Sequence, residues 1–527
     1  MNKDAGKKRY KVLLLAAGAG LRLGELTKYT NKSLIRIGKK PVISYIIESY
    51  PKETEIVVTV GYFASQVKEF ISLAYPDRKI TFVDIDKYQG EGSSIGYSIL
   101  KAKKHLQCPF IYHACDTIVN SFTPKVESNW IGGFRGENSS IYASFDVIGN
   151  RVGEIKDKGA INSDFLYIGL LGIKDYKAFW DKLEEMYQQN PNDQSLNDYQ
   201  ILNGMTRDGI PFEAKELEAW FDTGNIESLN HARKNIRDSI PNLDKVDESI
   251  FIFDDFVIKF FYDQKLVRQR VERAKILKGL VPTIESSTKN FYRYKFIPGD
   301  LYSRVVNPSD LHNFLLWSKQ NLWKKNKKYT TKKFKEVCYD FYKTKTLQRV
   351  KKFLDKKGMR DTLNTINGEE VPALVEILKK VDFDWLSGAE QYNFHGDFIL
   401  DNIIKTKDRY YLLDWRQNFG GLLESGDMYY DLAKLNHNLT VSHDIIHKNL
   451  YTIKIVNHNI ECDIMRNENF VACQQEFQNF LIENSYDLRK VKILTALIWL
   501  NMSPLHQHPL DLFLFYFGKL NLWRMVK

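Results

Sequence analysis

The first apolar run of the chain, KVLLLAAG, stops at a glycine turn containing Gly18 and Gly20. A short apolar run bounded by turn residues predicts a buried strand feeding a tight connection. A basic lead precedes it, but the run passes straight into the glycines without a cleavage site, so it reads as a first strand and not a signal peptide. VVTVGYFASQVKEF then changes from strand-like to helical period, a second βα unit, and PFIYHACDTIV is an apolar strand ending at Asp116. The polar stretch RDSIPNLDKVDE, with Pro241, reads as a linker. It sets a first domain at 8–237, a linker at 238–248 and a second domain at 249–527. SIFIFDDFVIKFF predicts a hairpin around Asp254-Asp255, RQRVERAKIL a helix, and NFYRYKFIPGDLYSR a strand reaching a Pro-Gly turn. The most apolar stretch, ILTALIWLNMSPLHQHPLDLFLFYF, is interrupted by Asn501, Pro504, His506, His508 and Asp511, so it predicts buried helices and no membrane span.

Composition agrees with two cores. A chain of 527 residues exceeds what one core supports, and 43% hydrophobic residues suffice for two. Five cysteines, Cys108, Cys115, Cys338, Cys462 and Cys473, show no CxxC spacing. That argues against structural zinc and for a reducing compartment, hence the cytoplasm. The net charge of +11 is concentrated in residues 319–360, where sixteen Lys/Arg face Glu336, Asp340 and Asp355. This run reads as a solvated helical face; nucleic acid or an anionic membrane face is the alternative partner, and nucleic acid is not expected.

Glycines after a first strand let backbone N–H groups approach a phosphate. The third glycine of a dinucleotide fingerprint is missing. The longer string LAAGAGLRLGELTKYTNKSLIRIGKKPVISYII resembles the signature of sugar-phosphate and choline-phosphate nucleotidyltransferases, matching at Leu15 to Leu23, Thr27, Asn31-Lys32 and Lys40-Pro41. The family's proline before the lysine is Asn31 here, a departure expected to loosen the loop while leaving Lys32 in place. The resemblance runs over about residues 8–237 and implies a Rossmann-like α/β fold. It implies nucleotide contacts at Ala16, Ala17, Gly18, Gly20, Gln89, Gly92 and Ser93, with Gly90 beside them. It implies Arg22 and Lys32 as catalytic cations and Asp116 and Asp222, the latter in AWFDTGNIESL, as Mg²⁺ ligands. Lys156 is the expected cation for the acceptor phosphate. Two carboxylates and two cations suit attack of one phosphate on another, which needs no nucleophilic side chain.

In the second half, FHGDFILDNIIKTKDRYYLLDWRQNFGG matches the H-x-D-x-x-x-x-N signature of aminoglycoside and choline kinases at His395, Asp397 and Asn402, with Asp414 downstream. The resemblance covers about residues 246–440 and implies a protein-kinase-like α+β phosphotransferase domain. Asp397 would orient the acceptor hydroxyl, and Asn402 and Asp414 would hold Mg²⁺ on ATP. Lys259 would meet the phosphates, positioned by Glu272, with adenine near Tyr294 to Phe296. Asp427 and Asp431 are expected to be structural. No glycine-rich loop stands between the first strands. Together the halves imply a bifunctional enzyme with Mg²⁺ in both domains. It would phosphorylate a choline- or ethanolamine-like alcohol with ATP, then transfer CMP from CTP to the phosphate, giving a building block for surface polysaccharide or lipopolysaccharide. A sugar kinase joined to a sugar-1-phosphate nucleotidyltransferase, or one non-catalytic half, are the alternatives. The NTP, ATP, the alcohol and its phosphate are the expected partners, and a homo-oligomer is compatible with the reading.

Overall fold

A computed structural model describes residues 10–120, 125–136, 140–160, 162–236 and 245–527. Most of the expected linker, residues 238–244, lies outside the described residues. The chain divides into two compact units, residues 1–264 with Glu285–Tyr294, and Lys265–Ile284 with Lys295–Lys527.

The first unit is built on a nine-stranded sheet. Strands Ile80–Asp84, Ile56–Val60, Lys11–Ala16 and Phe110–Ala114 lie side by side and parallel, in that order. Helices Val42–Glu48, Ala64–Ala74 and Ile95–Lys101 lie in the connections between them. Ile56–Val60 is buried along its whole length, as a strand covered on both faces must be. Chain order along the sheet reverses between Lys11–Ala16 and Phe110–Ala114. In open α/β sheets that switch point opens a crevice at the carboxyl ends of the strands. The sheet continues through Phe165–Ile173, antiparallel to Phe110–Ala114. The unit is therefore α/β and Rossmann-like.

The predicted hairpin is present as Glu248–Ile252 paired with Phe256–Phe261, turning at Asp254-Asp255. It belongs to the first unit, so the units part after Gln264 and not at the polar stretch. The cause is packing: the Phe251 ring meets Phe70 at 5.2 Å, and the Ile252 N–H donates to the Lys39 carbonyl at 2.8 Å.

The second unit is mostly helical. A hairpin of Ile403–Lys405 and Tyr410–Leu412, extended by Asp300–Leu301, carries the motif residues on its flanks. Helix Met428–Thr440 packs against helix Leu488–Met502, which packs against Leu510–Val526. These last two are the apolar stretch of the sequence, and they form buried helices as expected. Among the described residues no helix is long and apolar enough to cross a membrane.

Candidate functional sites

In the first unit the switch-point crevice collects the motif. Asn31 caps the short turn Lys32–Leu34. Fully buried, its amide donates to the Ala16 carbonyl at 2.9 Å and the Tyr62 carbonyl at 2.7 Å. Its side-chain oxygen accepts from the Ser33 N–H at 2.9 Å and the Ser33 hydroxyl at 2.8 Å. The expectation of a loosened loop is overturned: this asparagine ties the Lys32 turn to the ends of two parallel strands. Gly20 adopts a left-handed φ of 66°, and a Cβ there would stand 2.9 Å from the Lys32 Cβ, so only glycine lets the loop lie on the lysine.

Lys32 Nζ reaches Asp116 Oδ2 at 2.8 Å. Burial would raise the Asp116 carboxyl, but the Lys32 ammonium, with Arg22 beyond it, more than offsets this and holds it below its ordinary value. Burial would likewise lower Lys32, and Asp116 raises it instead. Asp222 arrives through an antiparallel ribbon, Trp220–Asp222 on Thr117–Val119, with Asp222 opposite Thr117. The Thr223 N–H donates to the Asp116 carbonyl at 2.8 Å and locks the two segments together. Tyr142 donates to Asp222 Oδ2 at 3.0 Å, and the Gly224 N–H donates to Oδ1 at 2.9 Å. Burial and the neighbouring Asp116 charge push Asp222 above its ordinary value.

The position a Cβ would take on Gly224 lies 3.1 Å from Arg22 Nη2, 3.1 Å from Asp222 Oδ1 and 3.2 Å from Asp116 Oδ2. Two carboxylates and a guanidinium thus converge on one small space. Hard oxygen donors at this spacing fit Mg²⁺, which takes one or two protein carboxylates and completes its shell with phosphate and water. Among the described residues no set of three His, Cys, Asp or Glu forms a metal cage, so phosphate oxygens would have to supply the rest.

A cleft of about 330 Å³ adjoins this cluster, lined by Ala17, Gly18, Lys32, Ser93 and Asp116 among others. It brings together five of the residues expected from the sequence, and adds Lys87 and Gln194, which sequence reasoning missed. Ala16 ends the first strand beneath it, and Gly92 is buried in a turn held by the Ser93 hydroxyl donating to the Gly90 carbonyl at 2.6 Å. Gln89 is exposed and does not line the cleft. Lys156 pairs with Asp146 and lines a separate depression with Tyr199 and Arg207, apart from the Lys32 cluster.

In the second unit, Asp397 is gripped on both oxygens. Its Oδ2 accepts from Asn402 Nδ2 at 3.0 Å, and its Oδ1 pairs with Lys434 Nζ at 2.7 Å. Burial opposes its ionisation, yet Lys434 above all, with Arg416, outweighs burial and holds the carboxyl well below its ordinary range. His395 is fully buried and lowered to about 4 by burial, so it is neutral. Its Nδ1 accepts from the Asp397 N–H at 3.3 Å, which leaves Nε2 to donate to the Leu413 carbonyl at 2.8 Å. Asp431 accepts from the His395 and Gly396 N–H groups at 2.7 and 2.6 Å and from the Trp323 indole at 3.2 Å. Asp427 caps its helix through the Tyr429 N–H at 2.9 Å. Both are thus braces.

The Leu413 N–H donates to the Asn402 carbonyl at 2.7 Å, which keeps Asn402 and Asp414 on neighbouring backbone. Asp414 stands at φ 54° and pairs with Arg270 at 3.2 Å. An asparagine oxygen and a carboxylate fit a hard cation, completed by phosphate oxygens. Lys259 is buried in its strand, whereas Glu272 is exposed on helix Gln264–Ile276. Its neighbour Arg273 is the buried one, donating to the carbonyls of Arg416 at 3.2 Å, Leu423 at 2.9 Å and Phe394 at 2.5 Å. Lys434, Arg270 and Arg273 were not foreseen. The only signal for Lys434 is its place three residues after Asp431, on one helix face.

No family model matches the chain. Choline-phosphate cytidylyltransferase of Streptococcus pneumoniae strain R6 is 32% identical over 106 residues, 20% of this chain and 44% of that protein. Bifunctional protein GlmU of Methanococcus maripaludis is 32% identical over 263 residues, 47% of this chain and 61% of that protein. GlmU of Methanococcus vannielii is 31% identical over 110 residues, 21% and 25% of the two chains. The chain thus spans between a quarter and about three fifths of the curated relatives it matches. Among solved structures, the CTP:phosphocholine cytidylyltransferase of S. pneumoniae superposes with a TM-score of 0.37 at 20% identity, over 44% of this chain and 100% of that chain. These partial likenesses support a nucleotidyltransferase reading of the N-terminal half.

Proposed function

We propose that the first unit transfers a nucleoside monophosphate from an NTP, CTP by preference, to the phosphate of a small alcohol. We propose further that the second unit makes that phosphate from ATP. The observation that carries the first step is the meeting of Arg22, Asp116 and Asp222 around Gly224 beside the Lys32 cleft. The 32% identity to a choline-phosphate cytidylyltransferase supports CTP. For the second step the support is the grip of Asn402 and Lys434 on Asp397, next to Asp414.

In the second unit the alcohol oxygen attacks the γ-phosphorus of ATP, the bond to the β–γ bridging oxygen breaks, and ADP leaves. Asp397 orients the hydroxyl and accepts its proton; its strong ionisation suits late transfer, after the P–O bond has largely formed. In the first unit a phosphate oxygen attacks the α-phosphorus of CTP, and pyrophosphate leaves. Lys32 and Arg22 screen the meeting of two anions and fix its line of attack. Mg²⁺, held by Asp116 and Asp222 and by Asn402 and Asp414, would neutralise phosphate charge in the two reactions.

The test is the full chain with Mg²⁺, ATP, each NTP in turn and a panel of amino alcohols, sugars and hydroxy acids, with products identified by mass spectrometry. A cytidine diphosphate ester formed from free alcohol, ATP and CTP is the expected product. Release of no pyrophosphate with any NTP and any alcohol phosphate would sink the reading of the first unit.

A further inference from the structure

The basic run 319–360 does not lie wholly in solvent. Lys345 and Arg349 share a face of helix Lys345–Lys357, which follows directly on a π-turn at Asp340–Thr344. Single π-turns inside helices recur at functional sites. Lys345 Nζ stands 3.9 Å from the Phe341 ring, and the Arg416 guanidinium stands 5.2 Å from the same ring. Arg416 Nη1 approaches the Tyr430 hydroxyl at 3.3 Å, one helical turn before Lys434. Arg349 is held by the Asn501 carbonyl at 2.9 Å.

Arg416 in turn lies against the loop that carries Asp397. Gly396, at φ 87°, makes room for it: a Cβ there would meet the Arg416 Cβ at 2.6 Å. Lys434 and Arg416 therefore stand beside Asp397, and Lys345 and Arg349 stand behind Arg416. Among the described residues Asp397 is the carboxylate paired with Lys434, and no carboxylate pairs with Lys345, Arg349 or Arg416. The Arg416 Nε is buried without a hydrogen-bond partner. A half-buried group of cations with one carboxylate among them is costly unless an anion completes it. The strain is visible on Lys345: burial, with Arg416, Arg349 and Lys434 adding to it, brings the ammonium down to about 6.

The side of Asp397 matters as well. Its Oδ2 faces Asn402, the oxygen-donor side. Its Oδ1 faces Lys434, so that cation stands on the other side of the carboxylate.

We infer that the alcohol accepted at Asp397 carries a fixed negative charge, a carboxylate or a phosphate, which Lys345, Arg349, Arg416 and Lys434 bind. This rests on the phosphotransferase reading of the second unit and replaces the choline- or ethanolamine-like acceptor implied by the sequence. A quaternary or primary ammonium would enter a site already crowded with its own charge, and like charges juxtaposed there oppose binding.

The experiment uses the full chain, Mg²⁺ and ATP with four probes of similar size: glycerate, glycerol phosphate, glycerol and choline. The expected result is kcat/KM for glycerate or glycerol phosphate at least about tenfold above that for choline, which separates carboxylate from phosphate as the anion. Lys345→Met and Arg349→Met should each raise the KM of the preferred anion about tenfold, with the ATP KM within about twofold. Lys345→Met should keep or raise the melting temperature, because it removes an amine whose charged form its surroundings oppose; Lys345→Arg should recover anion binding. Higher kcat/KM for choline, or an ATP KM that rises as far as the acceptor KM, overturns the inference. If no probe is phosphorylated, calorimetric binding decides. Anion binding that is lost in Lys345→Met sustains the inference and removes the phosphotransferase reading. No binding of either anion to the wild type overturns the inference itself.

Discussion

Asn31→Ala is the most direct probe of how the first unit holds its lysine. The change deletes four hydrogen bonds and leaves the Ala16 and Tyr62 carbonyls and the Ser33 N–H without that partner in a fully buried place. A buried polar group stripped of its partner costs about 1–3 kcal/mol. The lower end suits carbonyls, which keep a second lone pair, so the sum is about 3–4 kcal/mol. At about 2–4 °C per kcal/mol for domains of this size, the first unit should lose about 6–16 °C. The assay is residual pyrophosphate release after brief heating, which reads the first unit alone. Turnover at low temperature should also fall about tenfold or more, since Lys32 follows Asn31 directly and its reach to Asp116 depends on the same turn. Asn31→Pro is the sharper variant: Asn31 has φ −71°, which proline accepts, so its own φ adds no strain while the side-chain bonds are lost. It should behave like Asn31→Ala. An alanine variant within about 2 °C of wild type, with normal turnover, would refute the role assigned to this asparagine.

Three further outcomes follow from the same geometry. Asp116→Asn or Asp222→Asn should abolish pyrophosphate release yet leave ATP-dependent phosphorylation intact; equal loss of both in a folded variant would contradict separate sites. Lys32→Ala should lower nucleotidyl transfer by a factor on the order of 10²–10³, as loss of a fixed cation at a developing charge does, and near-normal turnover would remove Lys32 from the machinery. Asp397→Asn should end phosphorylation of the free alcohol while the same protein, given the alcohol phosphate and CTP, still forms the diphosphate ester, read by mass spectrometry; failure with the phosphate as well would break the two-step reading.

The parts legible in the sequence were those written in short contiguous strings. The strand before Gly18, the hairpin at Asp254-Asp255, and the placing of Asn402 beside Asp397 all depend on local spacing. Asp222 was legible as a motif, but its meeting with Asp116 depends on a two-stranded ribbon joining residues about a hundred positions apart, which no local period encodes. Helical phase explains Glu272 against Arg273: one residue along a helix turns the side chain by about 100°, and the structure buries the arginine. Lys156 fits a basic residue near an acceptor phosphate on sequence grounds, yet Asp146 on the adjoining strand takes its charge. Asn31 looked like a weakened proline because its four partners come from three separate segments, the first strand, the Tyr62 loop and its own turn.

The two sites differ in how their cations are balanced, and the difference bears on order of binding. In the first unit Lys32 already has a carboxylate, Asp116, at 2.8 Å, so the site is electrically satisfied before any ligand arrives. A hard cation that takes Asp116 would release Lys32 toward phosphate, which couples nucleotide and metal entry in one exchange of partners. In the second unit Lys434 and Arg270 have such partners, Asp397 and Asp414, whereas Lys345, Arg349 and Arg416 have no carboxylate to give up among the described residues. Their protein partners are neutral, the Phe341 ring, the Asn501 carbonyl and the Tyr430 hydroxyl, so an arriving anion would supply the first opposite charge. The same chain therefore carries one anion site that is held neutral in reserve and one that is held open, and the open one is where a charged acceptor gains most from binding first.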